Sequence, residues 1–317
     1  MSRKRVPVRK LLSVIAGAGL LVTMSACAAP SPAGFGACDS GSSAALVKVD
    51  GEVGSATTVT FPTPLVPKSS ENAVLISGDG ERVDATDAAN VTVSVYFAET
   101  GETLIEPTVI TSFVDGRLPF MSALTCAADG GRVSIAGTIE DLFADGLTGQ
   151  GIDPTDDVVV VADINDAFPG RATGADRAPE AGFPAIVIAP NGQPGFTVPA
   201  TDPPTTLKME TLKQGSGTTV KDGDNVYINL TGLVWGDSKT FFSSFEVGSP
   251  TPVVAADMTT TDGGVPPGLA KALIGQKVGS QVVVVAPPKD GYPTGTAPER
   301  VTEDSTVIFV VDILKID

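Results

Sequence analysis

The chain has 317 residues, enough for two domains of ordinary size, with 35 glycines, 25 prolines and a net charge of −16. It contains no histidine and only three cysteines, none in CxxC spacing. That excludes Ser–His–Asp hydrolysis, Cys–His nucleophiles, HExxH zinc sites, His-ligated haem and thiolate metal centres. The acidic balance repels phosphate backbones and argues against nucleic acid as a partner.

The N-terminus opens with the basic stretch MSRKRVPVRK, followed by the 16 apolar-rich residues LLSVIAGAGLLVTMSA. This run falls short of the ~20 residues that a permanent transmembrane helix needs. It ends at Met-Ser-Ala-Cys (24–27), which resembles a bacterial lipobox, with Met24 where leucine is usual. Residues 1–26 then form a lipoprotein signal peptide, and Cys27 is lipidated as the mature N-terminus, which anchors the chain to a membrane. The alternative is ordinary signal-peptidase cleavage after Ala26 or Ala28, giving a secreted product. Either route leads outside the cytoplasm. Removing the leader leaves 16 cations against 37 acids, a net charge of −21.

With Cys27 on lipid, Cys38 and Cys126 remain. In an oxidising compartment they read as one disulfide, the alternative being two buried free thiols. The bond closes a loop of about 88 residues, worth roughly 4–5 kcal/mol in the chain-entropy model.

An internal repeat sets the layout of the rest. ISGDGERVDATDAANVTVSVYFAETGETL (76–104) parallels KQGSGTTVKDGDNVYINLTGLVWGDSKTF (213–241). FMSALTCAADGGRVSIAGTIEDLFADG (120–146) parallels LAKALIGQKVGSQVVVVAPPKDGYPTG (269–295), and the closing strands after them also match. Each copy, 67–168 and 205–317, reads as strands, one short helix, a strand, an exposed loop and a closing strand. The predicted class is α+β, an antiparallel sheet curled around one helix. The stretches before the copies, 27–66 and 169–204, read as linkers. Each carries an extended segment, TTVTFPTPL (57–65) and FPAIVIAPNGQPGFTVP (183–199), expected to add a strand to its module or dock on it. DPTDD (153–157) lacks the spacing and glycine of a calcium loop and reads as a solvated turn. Neither a metal nor a cofactor is expected.

Three segments carry a family resemblance: GSGTTVKDGDNVYINLTGLVWGDSKTFFSS, VPPGLAKALIGQKVGSQVVVVAPPKDGYPTG and DSTVIFVVDILKI. Together they resemble the FKBP-type peptidyl-prolyl cis–trans isomerases, in particular secreted two-module lipoproteins of actinobacteria. The motifs are TG after the second strand, GxKxGS after the helix, PP-x-x-GY, and the terminal VDIL. The resemblance covers most of 205–317, and residues 67–166 look like a diverged second copy.

The resemblance implies a shallow apolar pocket that takes a substrate prolyl ring. Phe241 matches its aromatic floor, Phe309 its wall and Tyr292 the loop tyrosine; these three are the catalytic candidates. Val265 and Pro266 match the segment before the helix, and Leu269 stands where the family carries the pocket-base tryptophan. Leu230 replaces a strand tyrosine and Phe242 the aspartate after the floor aromatic. These five are the substrate-binding candidates. The substitutions predict a wider pocket that is poorer in hydrogen bonds, and the stretch between Phe241 and Leu269 is longer than usual. Implied ligands are proline-containing segments of exported proteins, with macrolides as a further class. In the first copy the matching positions are Leu104, Ile105, Phe120, Phe143 and Val160. With the TG and the hydroxyl gone, that copy reads as a spacer or peptide-docking module.

Two other readings stand beside the isomerase: a partner-binding lipoprotein without useful catalysis, and a purely structural envelope lipoprotein with no pocket. Trp235, in the GLVWGD loop, reads either as an exposed turn aromatic or as a rim contact.

Overall fold

The computed structural model describes residues 38, 40–55, 58–147, 152–237 and 239–317; the leader at 1–26 and the candidate lipidation site Cys27 lie outside them. The described chain is mostly strand. In chain order, β1 (Lys48–Asp50) and β2 (Thr58–Thr60) form a hairpin. Then come β3 (Glu71–Ile76), β4 (Asp87–Phe97), β5 (Thr103–Phe113), β6 (Arg132–Thr138), the helix α1 (Ile139–Phe143) and β7 (Asp157–Pro169).

After a two-residue strand β8 (Ala175–Asp176), a second hairpin is formed by β9 (Ala185–Ile188) and β10 (Pro194–Thr197). The C-terminal part holds β11 (Lys208–Gln214), β12 (Asn225–Val234), β13 (Thr240–Ser243), α2 (Ser244–Val247) and β14 (Thr251–Val254). It closes with α3 (Pro267–Leu273), β15 (Gln281–Ala286) and β16 (Val307–Ile316).

The duplication is visible in the strand order. The first sheet runs β3-β6-β7-β4-β5, and the second β11-β15-β16-β12-β13, with β14 also on β12 and β8 added outside β11. Every pairing is antiparallel. Register aligns the copies: Val160 faces Ile135 and Val95, as Phe309 faces Val284 and Gly232. One difference stands out. The first sheet has a continuous edge strand, β5, whereas in the second that edge is split by α2 into β13 and β14.

The helix expected in each copy exists only in the second. There Pro267 occupies the first turn, and Gly275 (φ +86°) follows the end in the left-handed region, so start and stop both come from residue type. Leu269, Ala270, Ala272 and Leu273 face the core. In the first copy the same position, Pro119–Cys126, is a 3₁₀ turn, and α1 sits in the β6–β7 connection.

The valine run of β15 is buried along its whole length because both faces of the sheet are covered. Val282 and Val284 pack inward with Phe309, Val311 and Leu269. Val283 and Val285 pack outward with Ile308 and Val310, under Phe183, Ile186, Phe196 and Val198. The segment 183–199 therefore docks as a hairpin on the outer face rather than joining the sheet. The first module repeats the device, with Val47, Val49, Val59, Phe61 and Leu65 lying over Tyr96, Val159 and Val161. An outer face built of valine would otherwise be exposed apolar surface, so each hairpin completes its module. The stretches read as linkers thus hold structured caps.

Cys38 and Cys126 are joined by a disulfide, with Cα atoms 5.2 Å apart, tying the start of the described chain to the 3₁₀ turn of the first module. The two modules also meet each other. Ala88, Phe113, Phe168 and Leu314 form a buried apolar seam with Tyr227 and Phe245 against it. Lys315 bonds Asp166 at 2.6 Å across the seam and lies 5.6 Å and 5.8 Å from the Phe168 and Tyr227 ring centroids.

Candidate functional site

The sequence candidates converge on the inner face of the second sheet. Phe241 comes from β13, Phe309 from near the start of β16, and Tyr292 from the loop after β15. The three rings meet edge to face: Phe241–Tyr292 at 6.0 Å, Phe241–Phe309 at 6.1 Å and Tyr292–Phe309 at 6.1 Å between centroids. Each such pair is worth about 0.5–1.5 kcal/mol beyond its buried area. Leu230, Val265 and Leu269 belong to the same cluster and are buried, and Phe242 packs against it half-buried. Pro266 is buried at the helix start, where it is the N-cap residue of α3.

Phe309 and Leu269 have no exposed surface. The edges of Phe241 and Tyr292 close over Phe309, so the half-buried rings of Tyr292 and Phe241 are the accessible part of the cluster.

The Tyr292 hydroxyl makes no hydrogen bond to any described residue, which leaves a donor free. Burial pushes its pKa up to about 12 from 10.0, because the phenolate would be poorly solvated there. Below that range it stays protonated and able to donate. The loop that carries it is fixed from both sides. Pro288–Asp290 form a 3₁₀ turn, and Lys271 on α3 pairs with the buried Asp290 carboxylate at 2.7 Å. A Cβ at Gly268 would lie 2.8 Å from the Asp290 carbonyl, so helix and loop are in backbone contact.

Gly232, the second residue of the TG motif, is what sequence reasoning left without a role. A Cβ built there would sit 2.4 Å from Phe241 Cζ and 2.5 Å from Cε2. Only hydrogen at this position lets the ring lie across β12 and reach Phe309. The first module has Val95 at the corresponding register position. The strand behind the floor is secured by buried hydroxyls: the Leu230 N–H donates to Ser244 Oγ at 3.0 Å, and Thr231 and Ser243 hydroxyls lie 3.3 Å apart. The signal for Gly232 was present in the lost TG of the first copy; its geometric reason was not.

In the first module Phe120, Phe143 and Val160 are buried in a continuous core, with Phe120 and Phe143 rings 5.2 Å apart. Leu104 and Ile105 pack half-buried against it. Trp235 is neither an exposed turn residue nor a rim contact. It is half-buried on the outer sheet face, packs against the cap cluster, and donates Nε1–H to the Thr201 carbonyl at 3.1 Å. In the DPTDD turn, Asp153 accepts from the backbone N–H and hydroxyl of Thr155, which hold its carboxyl below the usual range.

Residues 216–314 match the family model of the FKBP-type peptidyl-prolyl cis-trans isomerase. No curated protein matches the chain. Among solved structures, the chain is similar in part to the three FKBP domains of wheat FKBP73, at 18% identity over 78% of this chain and 95% of that one, with a TM-score of 0.33. It is also similar to FkpA from Escherichia coli, at 25% identity over 44% of this chain and 53% of that one, with a TM-score of 0.31. A peptidyl-prolyl cis-trans isomerase from Pseudomonas syringae pv. tomato overlaps at 19% identity, over 35% and 75%, with a TM-score of 0.30. The weight rests on the family match, which spans β12, Phe241, α3, Tyr292 and Phe309. The match is thus confined to the C-terminal domain: residues 216–314 carry an FKBP-type peptidyl-prolyl cis–trans isomerase domain.

Proposed function

We propose that the chain is an extracytoplasmic, lipid-anchored isomerase in which the C-terminal domain acts on X–Pro bonds of exported proteins. The observation that carries this reading is the free Tyr292 hydroxyl on the rim of a three-ring apolar cluster. The barrier to X–Pro rotation is about 18–20 kcal/mol and is largely amide resonance. A prolyl ring against Phe241 and Tyr292 leaves water, and a dry site disfavours the polar, planar imide relative to the twisted transition state. Tyr292 donates to a substrate carbonyl and holds the peptide while the bond turns. No proton is transferred and no covalent bond forms, so a chain without histidine has what the reaction needs. Macrolides are a further ligand class for the same apolar site. The first module, solid at the equivalent position, is non-catalytic in this reading.

One observation favours a second reading, a binding module with little turnover. Phe309 is fully covered and Phe242 stands where the family carries aspartate, so substrate must displace ring contacts to reach the wall. A protease-coupled prolyl isomerisation assay on the full mature chain separates the two. Catalysis above the thermal rate supports the first reading. Proline-peptide binding without rate enhancement supports the second.

A further inference from the structure

The seam between the modules is not confined to apolar contact; it engages one short segment of the catalytic domain. That segment is 244–249, which begins three residues after Phe241. The Phe245 ring stacks on Phe113 of the first module, with centroids 5.6 Å apart and planes within 10°. The Phe113 N–H and the Ser112 hydroxyl both donate to the Gly248 carbonyl, each at 3.2 Å. The Ser249 hydroxyl donates to the Thr111 carbonyl at 2.9 Å, and Arg117 donates to the Glu246 carbonyl at 3.2 Å. Residues 111–113 are the end of β5, the edge strand of the first sheet. The second module supplies partners for edge groups that would otherwise stay open.

The same segment reaches back to the ring cluster. The Thr240 hydroxyl, adjacent to Phe241, donates to the Glu246 carboxylate at 3.3 Å. Ser244 accepts from the Leu230 N–H and shares a hydrogen bond with Thr251 at 3.0 Å. Gly248 has φ +88°, in the left-handed region that favours glycine, and a Cβ there would crowd three Arg117 side-chain atoms at 3.0–3.3 Å. This is also where the edge strand of the second sheet is split: α2 leaves the sheet between β13 and β14 to make these contacts.

We propose that the first module is a positioning element for the isomerase site, holding Phe241 in place by clamping residues 244–249 through Phe113, Ser112 and Arg117. The proposal rests on the reading of Phe241 and Tyr292 as the prolyl site. It gives the non-catalytic copy a task that neither a spacer nor a separate docking domain would have. Its consequence is that catalysis depends on side chains in the other module that never meet substrate.

The test uses the full mature chain and reads prolyl-peptide kcat/KM together with amide hydrogen exchange. In Phe245→Ala, exchange at 240–249 speeds up while the cores of both modules stay protected, and kcat/KM falls about five-fold. Phe245→Tyr restores both. Ile135→Val, a first-module core change away from the seam, leaves kcat/KM unaltered, which a merely stabilising first module would not predict. If Phe245→Ala impairs folding, the pair Ser112→Ala and Arg117→Ala weakens the clamp by removing two of its polar contacts and leaves the ring stack in place. Faster exchange with kcat/KM within two-fold of wild type overturns the proposal, as does unchanged exchange. If the wild type itself shows no turnover, the isomerase reading fails. The clamp is then judged by the affinity of a proline peptide in the same variants, and unaltered affinity overturns it.

Discussion

Gly232→Ala probes the site at its narrowest point. The new Cβ would lie 2.4 Å from Phe241 Cζ, 2.5 Å from Cε2 and 3.1 Å from Cε1, so the ring cannot stay where it is. The strand cannot yield instead, since Gly232 is paired on one side with Phe309 and on the other with Phe242. Phe241 must therefore swing away and lose its edge-to-face contacts with Tyr292 and Phe309. At about 0.5–1.5 kcal/mol each, these contacts sum to roughly 1–3 kcal/mol, and overpacking adds a strain of comparable size. If the floor aromatic is needed for turnover, kcat/KM falls roughly ten- to hundred-fold, measured by the protease-coupled assay. Phe241→Leu on the Gly232→Ala background relieves the overlap and recovers the lost stability, without recovering the full rate. Val95→Gly, the reverse change in the first module, costs stability alone. A folded Gly232→Ala protein with kcat/KM within two-fold of wild type would refute the seat assigned to Phe241.

Tyr292→Phe should lower kcat/KM about five-fold, the worth of one hydrogen bond of roughly 1 kcal/mol, and Phe309→Ala should cost of order 3 kcal/mol in stability from the cavity; Phe143→Leu should leave turnover unchanged, and equal losses from Tyr292→Phe and Phe143→Leu would contradict a single active module. Because the Tyr292 pKa rises from 10.0 to about 12, the folded state keeps a proton that the unfolded chain loses. Its contribution is whole below pH 10 and declines as pH climbs toward 12, by up to about 2–3 kcal/mol; Lys315, also raised, adds a decline common to both proteins, so denaturant melts between pH 9 and 11.5 should fall more steeply in wild type than in Tyr292→Phe. Cys27→Ser should release the mature chain into the medium or leave the leader uncleaved, and normal processing with membrane retention would count against the anchor. Cys38 and Cys126 should resist alkylation until reductant is added, so labelling of either in the native protein would contradict the bond.

Much of the architecture was legible because it depends on periodicity and on repetition. Alternation in VYINL and VTVSV marks strands with one face inward, and two copies of one pattern predict two sheets of one topology. What was missed depends on contacts remote in sequence. The valine run of β15 says that both faces are buried, but not that 183–199 is what covers the outer one. Pro119–Cys126 carries a helical pattern and still winds as 3₁₀, on a segment tied by the Cys126 disulfide to residue 38. Trp235 could not be placed because its partner, the Thr201 carbonyl, lies 34 residues away on the cap. Phe241, Tyr292 and Phe309 were found as a set through family resemblance; no local rule relates a hairpin, a loop and a closing strand.

The two modules show which features belong to the scaffold and which to the site. Each closing strand carries a buried carboxylate at the same register, Asp163 opposite Arg132 and Asp312 opposite Gln281. In the first module Arg132 pairs with Asp163, donating from Nη2 at 2.8 Å, and also donates to the Gly51 and Glu52 carbonyls, while the Gly54 N–H donates to Asp163. In the second, Gln281 donates to Asp312 at 2.7 Å and the Ala172 N–H adds a bond at 3.2 Å. Both aspartates thus hold the segment that precedes their own module against the sheet. Asp312 does so without a guanidinium, and burial pushes its carboxyl above the usual range. The holding device is kept in both copies while the ring positions diverge: Val95 and Val160 stand in register where the second copy has Gly232 and Phe309. The first copy thus closes its core with aliphatic side chains at positions where the second brings three aromatic rings together. The divergence between the copies is concentrated at these ring positions, while the aspartate that holds each preceding segment is common to both.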